Sequence, residues 1–283
     1  MALKNKKNGH SVAPLVAAID IGSSKTACLI ARLEDGAPRI VGVGHRRMDG
    51  VRNGAIINLE AARDALVNTI TVAENMAGET IRDVVVNVSC GKPHSEVVSV
   101  DVPIGGHEVS RSDVRRLLLH GRKAEENLER ELVHAIPVGF RIDDTKGVRD
   151  PRGLYGDRLG ADIHTVTAEH GPLRTLASAI SGCHLQVSSF VVSAYASGLA
   201  ALVDDERELG ATVIDLGAGT TGVAVFQGGE LVHTDAVPVG GGHVTTDIAH
   251  GLSTPLDQAE RIKMLYGTAL SAPGDEAAIV EVP

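Results

Sequence analysis

The sequence predicts an α/β protein of two related lobes, with an α/β module inserted in the first and the second cut short. Three observations carry that reading. First, Ile19-Asp20-Ile21-Gly22-Ser23-Ser24-Lys25-Thr26 returns 195 positions later as Ile214-Asp215-Leu216-Gly217-Ala218-Gly219-Thr220-Thr221. Each copy lies between two apolar runs, so each is a tight turn joining two strands, with its Asp at the end of the first. Second, the texture changes between about 94 and 174, where a charged helical stretch and long alternating strands interrupt the first half. Third, the second half opens at 211 and the chain closes at Pro283, too soon to complete a unit the size of the first.

The elements follow in order. Residues 15–21, 26–33 and 39–44 read as three consecutive strands. A helix follows, with Asn58 as its N-cap. Leu59, Ala62, Leu66, Ile70, Ala73 and Ala77 recur at helical spacing until Gly78 stops it. Arg82 to Ser89 is a buried strand. Strand, strand, strand, helix, strand is the first half of a ribonuclease-H-like unit. Glu96 to Val102 alternates as a strand. Ser110 with Asp113 forms a capping box that opens a charged helix through Glu129. His134 to Ile142 is a strand broken by Pro137, which suits an edge or a bulge. Asp143 to Gly160 reads as loop, and Asp162 to Ala168 as strand.

Pro172 to Gly182 is helical, Gln186 to Val192 a strand, and Ala194 to Val203 a helix. Asp204 to Glu208 is a polar link. Strands at 211–216, 222–227 and 230–239 then repeat the opening order. Gly240-Gly241-Gly242 leads into a helix containing Asp247. A last helix starts at Ser253 or Thr254 with Pro255 at N1, and ends at Gly267. The tail from Ser271 closes on the strand-like Ala278 to Val282. Its edges would be unpaired and its core uncovered, so the chain reads as a fragment.

The repeated turns suit a polyphosphate. Gly22, Gly217 and Gly219 let the backbone approach an anion. The hydroxyls of Ser23, Ser24, Thr220 and Thr221, the Lys25 ammonium and the turn amides can donate to phosphate oxygens. Asp20 and Asp215 would repel the phosphates if alone. Mg²⁺ between them, held partly through water, reverses that sign. Two such turns facing each other make a clamp on a nucleoside triphosphate. Gly217 to Gly222 also spells G-x-G-x-x-G, but a dinucleotide fingerprint needs a helix after it, and Val223 to Phe226 reads as strand. Glu260 and Lys263 share one helical face. Alone they are an ordinary surface pair; facing a nucleotide cleft, Lys263 meets phosphate and Glu260 a ribose hydroxyl.

Composition excludes several classes. A net charge of −9 argues against an unaided nucleic-acid binder, and with no Trp and 2% aromatics there is no stacking platform. Cys28, Cys90 and Cys183 have no metal spacing and read as reduced thiols. The His residues show no ligand pattern. The N-terminal Lys4, Lys6 and Lys7 precede no apolar h-region, so they open no signal peptide. No apolar run reaches the ~18 residues of a membrane span.

These residues resemble the actin-like ATPase superfamily. Asp20 to Thr26 is similar to its first phosphate segment and Asp215 to Thr221 to its second. Within it, His134 to Asp143 with Gly147 to Gly153, and Gly240 to Ala249, resemble the FtsA-type cell-division proteins. Ala259 to Lys263 is similar to the helix on the adenosine side of the cleft. The resemblance implies an actin-like two-lobed fold. Residues 14–93 and 175–207 would form subdomain 1A, 94–174 the inserted 1C, 208–240 the start of 2A, and 241–283 part of 2B.

It implies binding of ATP with Mg²⁺ and self-association into head-to-tail polymers. It implies recruitment of FtsZ to the Z ring and contact with later division proteins through the inserted subdomain. The expected location is the cytoplasmic face of the inner membrane at the division site. Attachment there is by a C-terminal amphipathic helix absent from this sequence, so this chain alone is expected to be cytoplasmic and to bind nucleotide weakly. Relatives with brisk hydrolysis carry Glu or Gln where Ser193 to Ala196 offers neither carboxylate nor amide, so hydrolysis is expected to be slow or absent. The alternative is a small-molecule, sugar-type kinase on the same scaffold, which needs an acidic catalytic base that the sequence does not supply. A chaperone ATPase is a third reading, disfavoured by the insertion.

Overall fold

The computed structural model describes residues 14–124, 129–270, 273, 279 and 280. The sequence expectations for Lys4, Lys6 and Lys7, for 125–128 and for most of the 278–282 strand lie outside them. Ile279 and Val280 are in no strand.

The chain opens with β1 (Leu15–Ile21), β2 (Lys25–Glu34) and β3 (Ala37–Arg47), a pair of antiparallel hairpins. Two short strands, β4 (Val51–Arg52) and β5 (Ala55–Ile56), precede helix α1 (Leu59–Ala77) and β6 (Asp83–Val88). After an inserted unit come α3 (His170–Ser181) and β11 (Gln186–Val192). The first sheet runs β11-β6-β1-β2-β3, with β6 parallel to both β1 and β11. Alternate residues of its inner strands point at the helices. Ala17, Ile19 and Ile21, then Cys28 and Ile30, then Val84, Val86 and Val88 bury against Ala62, Leu66, Ile70 and Ala73 of α1 and Leu173, Leu176 and Ile180 of α3.

Helix α1 starts where Asn58 accepts a hydrogen bond from the Ala61 amide at 3.2 Å. It stops where Gly78 adopts a left-handed φ of 70°. It lies almost on the backbone of β3. A side chain at Gly44 would sit 1.9 Å from the Thr69 carbonyl oxygen, so only glycine admits this helix. Of the periodic positions, Leu59 is exposed.

The inserted unit comprises β7 (His94–Pro103), α2 (Arg111–Ala124), β8 (Arg130–Ile142), β9 (Thr145–Val148) and β10 (Arg158–Glu169). Its antiparallel sheet runs β7-β10-β8-β9. Leu117 of α2 buries against Val100, Val102, Leu159, Ala161 and Ile163. Ser110 and Asp113 cap α2 reciprocally, the Ser110 amide donating to Asp113 Oδ2 at 3.0 Å and the Asp113 amide to Ser110 Oγ at 3.3 Å. The β8–β10 register slips beside Pro137, and β9 pairs only with Phe140 and Ile142, so proline sits at a bulge.

The second lobe begins after α4 (Ser193–Ala201) and α5 (Asp204–Leu209). Strands β12 (Ala211–Leu216), β13 (Thr221–Gln227) and β14 (Glu230–Val237) form an antiparallel sheet, followed by α6 (Gly241–Leu252) and α7 (Leu256–Tyr266). A small core of Val166, Val192, Ala194, Ala224, Phe226 and Leu231 joins this sheet to the insert and to α4. Ser95 of β7 stitches the insert to β14, accepting from the Thr234 amide at 3.0 Å and donating to the Thr234 carbonyl at 2.9 Å.

Four expectations change. The stretch 143–160 is not all loop, since Asp143 at φ 50° turns the chain into β9 and β10 starts at Arg158. The polar link 204–208 is helical: Glu206 accepts from the Val203 amide at 3.0 Å, and the acidic first turn suits the helix dipole. Pro255 is the N-cap of α7 and not N1, and no side chain caps that end. The hairpin β4–β5 is unforeseen. Among the described residues, no helix is long and apolar enough to cross a membrane.

Candidate functional site

The two repeated turns have the same local geometry. The Gly22 amide donates to the Lys25 carbonyl at 3.0 Å, and the Gly217 amide to the Thr220 carbonyl at 2.9 Å. They meet at the mouth of a cleft of about 990 Å³. There they touch: a side chain at buried Gly219 would lie 2.4 Å from Ser23 Oγ and 2.9 Å from the Asn53 nitrogen. The second turn is also pinned from behind. The Gly241 amide donates to the Gly217 carbonyl at 2.9 Å and the Gly242 amide to the Ala218 carbonyl at 2.7 Å, so the start of α6 grips the turn.

Of the residues singled out from sequence, Ser23, Ser24, Gly217, Gly219, Glu260 and Lys263 line this cleft. Gly22 closes its turn from beneath. Lys25 is exposed at the start of β2 and is not a cleft-lining residue. Thr220 turns its methyl toward Gly54. Thr221 is committed elsewhere, its Oγ1 donating to the Val239 carbonyl at 2.7 Å. Lys263 is anchored in the cleft wall, its Nζ donating to the Gly241 carbonyl at 3.1 Å and Thr245 Oγ1 at 2.9 Å, and pairing with Glu260 at 2.7 Å. That lysine, then the Thr245 hydroxyl, holds the Glu260 carboxyl below its usual range.

Asp20 and Asp215 are the penultimate residues of β1 and β12, behind the turns, and are not among the cleft-lining residues. Asp20 is exposed. Desolvation pushes its carboxyl above the ordinary value, Lys25 pulls it down, and the charge of Asp215 pushes it up again. Each carboxylate accepts one hydrogen bond from the protein, Asp20 Oδ1 from Asn87 Nδ2 at 2.6 Å and Asp215 Oδ2 from Ser197 Oγ at 2.9 Å. Two carboxylates with oxygens to spare suit a hard, hydrated cation such as Mg²⁺. Among the described residues there is no cluster of three or more His, Cys, Asp or Glu able to hold a metal. A cation here would complete its shell with water and phosphate, so the donor set fits Mg²⁺ carried in with a triphosphate.

Sequence reasoning missed three parts of this arrangement. Asn87 is the lone polar residue in the Val84 to Val88 run. It accepts from the Ile21 amide at 2.6 Å while donating to Asp20, and its Nδ2 also reaches Ser193 Oγ at 3.0 Å. Ser193 Oγ in turn lies 2.6 Å from Ser89 Oγ. Ser197 gave no signal. The β4–β5 hairpin did: Asn53-Gly54 between Val51-Arg52 and Ala55-Ile56 is a two-residue hairpin turn, and both residues have positive φ, 50° and 77°. It supplies Val51, Arg52 and Asn53 to the cleft.

A family model described as cell division protein FtsA matches residues 212–283, and one described as the SHS2 domain inserted in FtsA matches residues 91–167. The chain is 42% identical over 283 residues to the cell division protein FtsA of Agrobacterium fabrum, covering 95% of this chain and 63% of that protein. It is 43% identical over 280 residues to FtsA of Rhizobium meliloti, with the same coverage, and 35% identical over 271 residues to FtsA of Escherichia coli, covering 95% and 64%. The chain thus spans less than two thirds of the length of these relatives. Among solved structures, a PilM–PilN type IV pilus biogenesis complex aligns with a TM-score of 0.62 at 17% identity, over 89% of this chain and 70% of that one. The ethanolamine utilization protein EutJ of Carboxydothermus hydrogenoformans aligns with a TM-score of 0.50 at 16% identity, over 89% and 61%. At such identities these likenesses speak to the fold alone, which is actin-like.

Proposed function

The chain belongs to the FtsA family of bacterial cell-division proteins, and from that premise we propose that it binds ATP with Mg²⁺ in the cleft between its two repeated turns. Asp20 and Asp215 hold the hydrated cation. Ser23 and Ser24 on one side, and Gly217 and Gly219 on the other, line the phosphate end, and Gly22, Lys25, Thr220 and Thr221 belong to the same two turns. Lys263 meets phosphate and Glu260 a ribose hydroxyl. The observation that carries the reading is that two glycine turns, far apart in sequence, meet at one cleft, each following a strand that ends in an Asp-containing pair.

The nucleotide serves as a conformational and polymer ligand more than as a fast substrate. Ser193 and Ala194 head α4 with no carboxylate or amide, and the amide that reaches Ser193, Asn87, is committed at both ends. A group so engaged does not orient an attacking water.

In the whole protein this site would control head-to-tail self-association. The protein would hold FtsZ at the cytoplasmic face of the membrane, helping to assemble the Z ring, and would reach later division proteins through the inserted β7–β10 unit. On this reading 94–174 is subdomain 1C, set into 1A at 14–93 and 175–207, with 2A beginning at 208 and 2B at 241. The family match supports a division protein over a sugar-type kinase. The test is MgATP titration of the protein, with co-sedimentation against FtsZ. Saturable MgATP binding and nucleotide-dependent co-sedimentation are expected; absence of both would refute the proposal.

A further inference from the structure

The short hairpin β4–β5 occupies a position that its length does not advertise. Its backbone is tied to both repeated turns at once. The Gly54 amide donates to Ser23 Oγ at 2.9 Å, and the Met48 amide just before it donates to the Ser24 carbonyl at 3.0 Å. On the other side, the Asn53 nitrogen lies where a Gly219 side chain would be, and a side chain at Gly54 would come within 3.0 Å of Thr220 Cγ2. The hairpin's root is fixed, since Val51 is buried in the main core and Ile56 packs against it. Pairing of Arg52 with Ala55 across the Asn53-Gly54 turn then sets where Arg52 starts.

Arg52 projects from this platform into the cleft wall and is exposed there. The other cations lining the cleft have acidic neighbours, Arg47 with Asp49 at 3.6 Å and Lys263 with Glu260 at 2.7 Å. Arg52 has no carboxylate partner among the described residues. A guanidinium on a fixed strand, beside two glycine turns, is matched in shape and charge to phosphate oxygens, which it can meet two at a time.

We propose that the β4–β5 hairpin is a third wall of the phosphate site, and that Arg52 grips the terminal phosphate of the bound nucleotide, so that the site tells a triphosphate from a diphosphate. This rests on the MgATP reading above. It makes Arg52 a specificity residue, and the hairpin the piece through which the state of that phosphate is felt by both turns together.

The experiment is titration of MgATP and MgADP separately into the unsubstituted protein and into Arg52→Ala and Arg52→Lys, with thermal melting of each. Arg52→Ala should weaken ATP by about 10- to 100-fold, the range of a lost charge-assisted pair, and ADP by no more than about 2-fold. Arg52→Lys should fall between, because an ammonium keeps the charge and loses the fork. Equal weakening of ATP and ADP would overturn the inference and assign Arg52 to contact between the lobes. Unchanged affinity for both in a folded variant would also overturn it. If Arg52→Ala does not fold, the ATP-to-ADP ratio of Arg52→Lys decides alone, an unaltered ratio being the negative result. Failure of the unsubstituted protein to bind MgATP would sink the nucleotide reading itself and is distinguishable from either outcome.

Discussion

Gly219→Ala is the perturbation that bears most directly on how the two turns meet. The added methyl would lie 2.4 Å from Ser23 Oγ, 2.8 Å from Ser23 Cβ and 2.9 Å from the Asn53 nitrogen. Comfortable contact for carbon is about 3.5 Å, so the deficit is roughly 1 Å. Rotating Ser23 away does not relieve it. That hydroxyl accepts the Gly54 amide, and the other two clashes involve atoms fixed by the backbone. The second turn must therefore move off the first. Overpacking of this kind costs typically about 1–3 kcal/mol. If the cost falls on the closed cleft, MgATP affinity drops by about 5- to 100-fold. Calorimetric titration with MgATP measures it, with melting curves to show that the variant is folded. Gly251→Ala, where nothing lies within 4 Å, serves as control and should leave affinity unchanged. A folded Gly219→Ala protein that binds MgATP within 2-fold of the original would refute the claim that contact between the turns shapes the site.

Two further outcomes are expected. Asn87→Ala removes both the acceptor for the Ile21 amide and the donor to Asp20, so the Mg²⁺ concentration needed for half-maximal ATP binding should rise by about 10-fold, the scale of one hydrogen bond to a charged group; an unaltered Mg²⁺ requirement would count against Asn87 as the residue that orients Asp20. Burial pushes the imidazoles of His134 and His164 down to about 4, and for His164 the neighbouring His233 and His134 add to it. Their folded values lie below the ordinary 6.5, so the stability they contribute is full above about pH 6.5 and is lost as pH falls from there toward 4, on the order of 2 kcal/mol for fully buried His164 by pH 5. Melting temperatures compared at pH 7.5 and 5.0 should show a smaller acid loss for His164→Leu than for the original protein; parallel losses would contradict this.

The fold was legible where one local rule repeats or where caps bracket a periodic run. The Asp-Gly turns are alike in sequence and close with the same amide-to-carbonyl bond, at Gly22 and at Gly217. Asn58 and Gly78 bracket α1, and Ser110 with Asp113 opens α2, because in each case the capping partner is three or four residues away. Elements whose shape depends on distant neighbours were not legible. Strands of two residues, as in β4–β5, have no periodicity to detect, and only the Asn53-Gly54 pair betrays the hairpin. Strand β9 exists because the end of β8 offers it an edge. Asn87 finds Asp20 across 67 residues and Ser197 finds Asp215 across 18, separations at which a lone polar residue in an apolar run carries no address. Lys25 is exposed at the start of β2 and is not among the cleft-lining residues, whereas Arg52, from a hairpin the sequence did not announce, is one of them.

The central claim is that a metal-triphosphate bridges Asp20 and Asp215. The most direct measurement is ATP affinity of the unsubstituted protein and of Asp215→Ala, each titrated with Mg²⁺ and with Mg²⁺ chelated. The account predicts tight binding only for the unsubstituted protein with Mg²⁺, and weak, Mg²⁺-independent binding for the variant. Equal ATP affinity in all four titrations would contradict it.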